Sequence, residues 1–224
     1  MKKFVATSSL SLFFGALFLG SLVAQAFAGR AEYNEEQLGD GLAPVGLSDY
    51  VLSAHFAVDV TENWQSEYLQ FTVFILATVW LFQRGSPESK SQHELGQESE
   101  KQQKLGRWAG DDSSAWAKAG GWRTALYSRS LGLVMGLIFL ACWSVQAISG
   151  WAVYNEERLN RLQDPVGFGS YLLAPDFWSR SLQNWQSEFL AVGSMVVLAI
   201  YLRQRGSPES KPVGVSHEAT GVEG

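Results

Sequence analysis

The sequence predicts an all-α membrane protein: four transmembrane helices in two parallel tandem two-helix repeats, with short extracytoplasmic helical segments. Three observations lead there. Leu10–Phe27 and Leu131–Ile148 each supply about 18 residues without a charge, enough to cross a bilayer as a helix. Tyr68–Phe82 and Phe189–Leu202 add shorter apolar runs of about 14 or 15 residues. The chain also repeats itself. Tyr33-Asn34-Glu35-Glu36 returns as Tyr154-Asn155-Glu156-Glu157, Asn63-Trp64-Gln65-Ser66-Glu67 as Asn184-Trp185-Gln186-Ser187-Glu188, and Gly85-Ser86-Pro87-Glu88-Ser89-Lys90 as Gly206-Ser207-Pro208-Glu209-Ser210-Lys211. Residues 9–90 and 130–211 align without a gap and are identical at 36 of 82 positions, far more than shared composition produces.

Composition alone hides this architecture. With 46% hydrophobic side chains over 224 residues the average looks soluble, because apolar and polar blocks cancel. A net charge of -5, with basic residues clustered only at membrane exits, carries no nucleic-acid signal. Cys142 is the single cysteine, so no internal disulfide can form, and mid-span it reads as a small packing residue.

The first span has a rival reading. Lys2-Lys3, the apolar run and Ala26-Phe27-Ala28 resemble a secretory signal with a small-residue cleavage site. Its repeat partner at 129–150 is internal and cannot be a signal, and Gln25/Gln146 and Gly29/Gly150 recur near the same end of both, so the segment is expected to stay as a span. After it, Tyr33-Asn34-Glu35-Glu36 follows without a helix breaker, which predicts a helix protruding outward by a turn or two. Pro44-Val45-Gly46 and Pro165-Val166-Gly167 then turn the chain. The second helix of each copy is expected from near Ala54 or Pro175, where proline suits the first turn and Asp176 its positive end, through to Arg84 or Arg205. The short apolar runs reach spanning length if Trp64 and Trp185 anchor in the outer interface while Arg84, Arg203 and Arg205 snorkel to the inner one. Gly85 and Gly206, each followed by Ser-Pro, stop these helices.

The domains follow: 1–90 as the first two-span repeat, 91–127 as a flexible cytoplasmic linker, 128–211 as the second repeat and 212–224 as a disordered tail. A short helix is allowed across 92–105, and Trp108, Trp116 and Trp122 allow the second half of the linker to lie on the inner membrane surface. With the N-terminus inside, thirteen basic residues fall on the cytoplasmic side and only Arg30, Arg158, Arg161 and Arg180 outside. That asymmetry places both termini in the cytoplasm. Two spans per copy make the halves parallel, related by a pseudo-twofold along the membrane normal.

Glu67 and Glu188 are the sharpest candidates for chemistry. Each sits at the outer lip of a short span, with Asn63 or Asn184 one turn up on the same face, so the two pairs can converge into one polar membrane site. The plainer reading caps backbone or pairs these carboxylates with Arg158 or Arg180. Glu35, Glu36, Glu156 and Glu157 form an outer acidic cluster. No spacing matches an established metal loop, so a solvated helix extension is the simpler account and no metal or other cofactor is expected. The repeated Gly-Ser-Pro-Glu-Ser-Lys reads as a small cap docking under the bundle, or as a headgroup contact through Arg84/Lys90 and Arg205/Lys211. His55, His93 and His217 lack repeat partners and metal-ligand spacing, and no nucleophile motif occurs, so the chain is not expected to be an enzyme.

Asn184-Trp185-Gln186-Ser187-Glu188-Phe189-Leu190 followed by Leu202-Arg203-Gln204-Arg205-Gly206-Ser207-Pro208-Glu209-Ser210-Lys211 resembles an uncharacterised family of bacterial integral membrane proteins, a domain of unknown function with duplicated halves. The likeness covers nearly the whole chain outside the linker. The first copy departs from it where Tyr68 stands for Phe189 and Ser53-Ala54-His55 for Ala174-Pro175-Asp176. Membership implies the bacterial cytoplasmic membrane and no established activity. Two functions follow as expectations. One is a non-enzymatic scaffold or accessory subunit whose partners are the lipid bilayer and another membrane protein or a second copy, with no nucleic acid. The other is a small permease or ion-handling protein using Glu67 and Glu188.

Overall fold

The computed structural model describes residues 7–222 and is all-helical, with no strand among the described residues. Lys2 and Lys3, which enter the charge asymmetry above, lie outside them. Two long helices, α1 (Ser9–Gly39) and α6 (Ser130–Asn160), have 31 residues each, about 46 Å. Both are long and apolar enough to cross a membrane, and only 6% and 17% of their apolar windows are buried. The core helix of a water-soluble protein buries such a stretch; these two leave it open. Each continues through its polar extension, since nothing in Tyr33–Gln37 or Tyr154–Arg158 breaks a helix.

Two further helices, α3 (Ala54–Trp80) and α8 (Pro175–Tyr201), have 27 residues each and start where the sequence places them. They stop four residues short of the expected Arg84 and Arg205. The reason is the hexapeptide that follows. The Ser89 hydroxyl accepts the Gln83 N–H at 3.0 Å, and the Ser210 hydroxyl accepts the Gln204 N–H at 2.9 Å. These N–H groups are thereby drawn out of the helical ladder. Short helices α2 (Leu47–Val51) and α7 (Phe168–Tyr171) precede α3 and α8. In the linker lie α4 (Ala115–Ala119) and α5 (Gly121–Tyr127), and two 3₁₀ turns, Gln92–Glu94 and Gly106–Trp108, stand in place of a single helix over 92–105.

The chain divides into two compact bodies. The first holds the described residues up to Thr61 together with Val145–Tyr171. Its organisation explains why Tyr-Asn-Glu-Glu, Pro-Val-Gly and a later Tyr travel together. Asn34 clamps the turn: its Nδ2 donates to the Val45 carbonyl at 3.1 Å and its Oδ1 accepts the Val45 N–H at 2.7 Å. Asn155 makes the same pair with Val166 at 3.1 and 2.8 Å. With the chain so reversed, Tyr50 lies under Gly29 and Tyr171 under Gly150. A β-carbon at either glycine would overlap the tyrosine hydroxyl. The rings of Tyr33 and Tyr154 pack at 5.7 and 5.4 Å from Tyr50 and Tyr171. Val58, Val153 and Ala147 are buried in the same body.

Tyr50 is 2% exposed and hydrogen-bonds Asp59. Burial first, and then the negative charges of Asp59, Glu32 and Glu36, push its pKa up to about 12. The native state thus holds this proton more tightly than the unfolded chain. The stabilisation is complete below the unfolded value near 10 and is lost as pH rises from about 10 through 12. The unfolding midpoint of the wild type is expected to fall more steeply across that window than that of Tyr50→Phe; parallel curves would refute the assignment.

The second body holds Glu62–Ser144 and the described residues from Leu172 onward. Here α6 approaches α3 through small residues, with Gly132 against Ile75 and Leu76 and Gly136 against Thr72, all at 3.7 to 3.9 Å from a notional β-carbon. This spacing of small residues lets helix backbones come close in an apolar medium. The linker is tied back, with the Gly96 N–H on the Val79 carbonyl at 2.8 Å and Lys90 on Glu98 at 2.9 Å. The tail after Lys211, expected to be without structure, folds onto the end of α8 and the first hexapeptide.

Candidate functional site

Both copies of the repeated Asn-Trp-Gln-Ser-Glu segment belong to the second body, but they do different work. Gln65 is fully buried, and its Oε1 accepts the Trp185 indole N–H at 2.7 Å while its Nε2 donates to the Glu62 carbonyl at 3.0 Å. The equivalent Gln186 is exposed. Trp185, expected as an interface anchor, is therefore tied inward. It joins Phe139, Trp143, Phe177 and Trp178 in a cluster with centroid separations from 5.4 to 6.4 Å. Trp143 donates from its indole to the buried Ser181 hydroxyl at 3.2 Å. Trp64 is 36% exposed, consistent with an outward-facing ring.

Of the four residues expected to converge, the two carboxylates do come within electrostatic reach. Glu188 feels the charge of Glu67 and hydrogen-bonds the Ser66 hydroxyl. Asn184 turns instead to its own helix, its Nδ2 donating to the Arg180 carbonyl at 3.0 Å, while Asn63 is exposed. The arginines offered as partners are engaged elsewhere. Arg180 bonds Glu62 at 3.4 Å and Asp176 at 3.5 Å, and Arg158 donates to the Asp164 carbonyl at 2.7 Å.

The outer acidic residues also separate. Glu35 and Glu36 are exposed, and Glu157 pairs with Arg161 one turn on at 3.4 Å. Glu156 has a different setting. Its carboxylate meets His55 Nε2 at 3.1 Å and accepts the Tyr33 hydroxyl at 3.4 Å, with the Tyr33 and His55 rings 4.7 Å apart. This three-residue cluster ties α1, α3 and α6 together. Repeat-based reasoning missed it, because His55 has no counterpart in the second copy. A usable signal was the substitution itself, an ionisable His in the first turn of α3 where the second copy has Asp176. Among the described residues, no three His, Cys, Asp or Glu side chains are arranged to hold a metal ion.

At the other end of α3 and α8 the hexapeptides fold alike. Gly85 and Gly206 take φ of +85° and +83°, which favours glycine, and Ser86 and Ser207 each accept the N–H two residues on at 3.2 Å. Their lysines then diverge. Lys90 is half-buried against Glu98. Lys211 is 1% exposed, and its ammonium is ringed by four carbonyls: Gly85 at 2.7 Å, Ser216 at 3.2 Å, His217 at 3.0 Å and Ala219 at 3.1 Å. Burial, with Arg203 nearby, pushes its pKa down. The tail that supplies three of these carbonyls is held further by Arg84–Glu218 at 2.8 Å and by the Gly221 N–H on the Ser86 carbonyl at 3.1 Å. Arg203 caps the end of α8, donating to the Ala199, Ile200 and Leu202 carbonyls, and reaches Val215. Arg205 is exposed on a cleft of about 480 Å³ beside Gly206 and Ser207. Lys211 and Arg203 thus tie backbone, Lys90 and Arg84 pair with carboxylates, and Arg84 and Arg205 stay exposed.

The chain belongs to the family described as Domain of unknown function (DUF6766), whose model matches residues 1–222. No curated protein and no solved structure matches it.

Proposed function

We propose that this chain is a four-span scaffold or accessory subunit of a bacterial cytoplasmic membrane, without enzymatic activity, built of two parallel tandem repeats with both termini cytoplasmic. The observation that carries the reading is the contrast between outside and inside. Apolar surface stays open along α1 and α6, and also on Phe71, Leu76 and Trp80 of α3 and on Leu190, Val197 and Tyr201 of α8. Meanwhile Gln65, Ser181, Glu156 and Lys211 are committed to bonds that hold helices and turns in place. Lipid is the solvent that suits the first set, and a structural role suits the second. The matched Asn34 and Asn155 clamps support two copies of one hairpin. The lipid bilayer, and another membrane protein or a second copy of the chain, are the partners this role implies.

The proximity of Glu67 and Glu188 favours the second reading, an ion-handling protein. Two measurements separate the possibilities. Reporter fusions after residues 42 and 163 are expected to read outside, and one after residue 100 inside; any other pattern defeats the four-span arrangement. Proteoliposomes holding the wild type are expected to leak Na⁺, K⁺ and H⁺ no faster than empty vesicles, and Glu67→Gln with Glu188→Gln is expected to leave that unchanged. Flux in the wild type that disappears in the double variant would overturn the scaffold and establish transport.

A further inference from the structure

We infer that α4 and α5, with the Trp108 turn before them, form a platform that lies on an anionic bilayer surface at the entrance to α6. The inference rests on the reading that α6 crosses the membrane. It starts from an anomaly: a polar linker carrying three of the chain's nine tryptophans. The structure shows why they do not collapse into a core. The Thr124 hydroxyl donates to the Trp116 carbonyl at 2.8 Å, and Ala117 and Thr124 are buried where the two helices meet. That fixes α4 against α5 and turns the large side chains away. Trp116 is 45% exposed and Trp122 69%, their rings edge to face at 6.3 Å, and Leu126 and Tyr127 continue the open surface.

A basic rim surrounds this apolar face. Residues 101–129 hold six basic and two acidic side chains, in a chain whose net charge is -5. Arg123 lies over Trp122 at 5.7 Å, and Arg107 and Lys101 lie over Trp108 at 4.9 and 5.5 Å. Lys118 reaches across to the Asp111 carbonyl, which fastens the intervening loop. Indole rings next to guanidinium groups are the chemistry of the headgroup layer, where the ring body enters the acyl boundary and the cations meet phosphate. A soluble partner would not account for where the platform sits, since α6 begins only three residues after α5. A helix entering the bilayer there brings Tyr127 and Arg129 to headgroup depth, and clustered basic residues immediately before a span suit anionic lipid.

The test uses the full chain with Cys142→Ala, reconstituted in nanodiscs containing phosphatidylglycerol, carrying an environment-sensitive dye at one new cysteine. Trp122→Cys is expected to emit to the blue of Asp112→Cys and to be quenched by iodide about threefold less. Leu137→Cys, on the apolar face of α6, reports the parent reading. Phosphatidylcholine in place of phosphatidylglycerol, or Arg107→Glu with Arg123→Glu, is expected to raise quenching at 122 and leave 137 unchanged. If 137 is shielded while 122 is as open to iodide as 112, the platform is wrong and the spanning helix stands. If 137 is open as well, the membrane reading itself fails. Shielding at 122 that follows protein-to-lipid ratio and ignores phosphatidylglycerol would show a second copy covering this face, and would also overturn the inference.

Discussion

Replacing Tyr171 with alanine is expected to cost about 3–5 kcal/mol of stability, the range for removing a fully buried aromatic side chain. Tyr171 is 0% exposed, and its ring fills the space that the absent side chain of Gly150 leaves open. The complementary change, Gly150→Ala, forces a β-carbon into the hydroxyl and is expected to cost about 1–3 kcal/mol by overpacking. The two sites share one volume, so they should not act independently. In Gly150→Ala with Tyr171→Phe the overlapping oxygen is gone, and the double variant is expected to be less destabilised than the two single changes together, by about 1 kcal/mol. Thermal unfolding in detergent measures Tyr171→Ala and the cycle of Gly150→Ala, Tyr171→Phe and their combination. Strict additivity would mean that the glycine is there for another reason.

Lys211→Met is expected to free the C-terminal tail. The substitution keeps the apolar stem and removes the ammonium, leaving four carbonyls without their donor. An unpaired buried polar group costs about 1–3 kcal/mol, and here the tail can relieve that by peeling into water. The expected result is therefore modest global loss but roughly tenfold faster cleavage of residues 212–221 by a non-specific protease, since cleavage follows the open population. Lys90→Met is the internal comparison. Lys90 holds a partly exposed pair with Glu98 in place of a buried ring of carbonyls, so its loss should change cleavage little. Equal cleavage of Lys211→Met and wild type would sink the assignment.

What could be read from the chain beforehand was set by apolar periodicity and punctuation. Charge-free stretches announce α1 and α6, and the prolines at 44, 165 and 175 mark where the backbone must turn or restart. The ends of α3 and α8 fall short of the expected arginines because a serine six residues downstream takes an N–H from the chain, which no propensity scale records. Three kinds of contact were out of reach. The Tyr33–Glu156 bond joins residues 123 apart, and the unmatched His55 beside it marks the place without naming either partner. Gln65 and Gln186 occupy equal places in matching motifs, yet one is interior and the other not, so a repeat identifies roles only up to the point where its copies meet different neighbours. The Lys211 ring is made of backbone oxygens, which every residue owns, so a polar tail reads as solvated whether or not a cation organises it.

The unequal use of the two Asn-Trp-Gln-Ser-Glu segments bears on how such a chain can diversify. Once Gln65 accepts the Trp185 indole, the earlier glutamine and the later tryptophan are locked to one another, while Gln186 is released from that duty. The two matching motifs thereby take complementary parts in one contact. Grafting the first hairpin onto a second copy of itself would present each Gln65 with Trp64 where Trp185 now stands, in a partner whose neighbouring aromatic residues, Trp143 and Trp178 among them, have been exchanged for Leu22 and Ala57. Position 186, exposed and outside that contact, is thus where new recognition can arise at little structural risk.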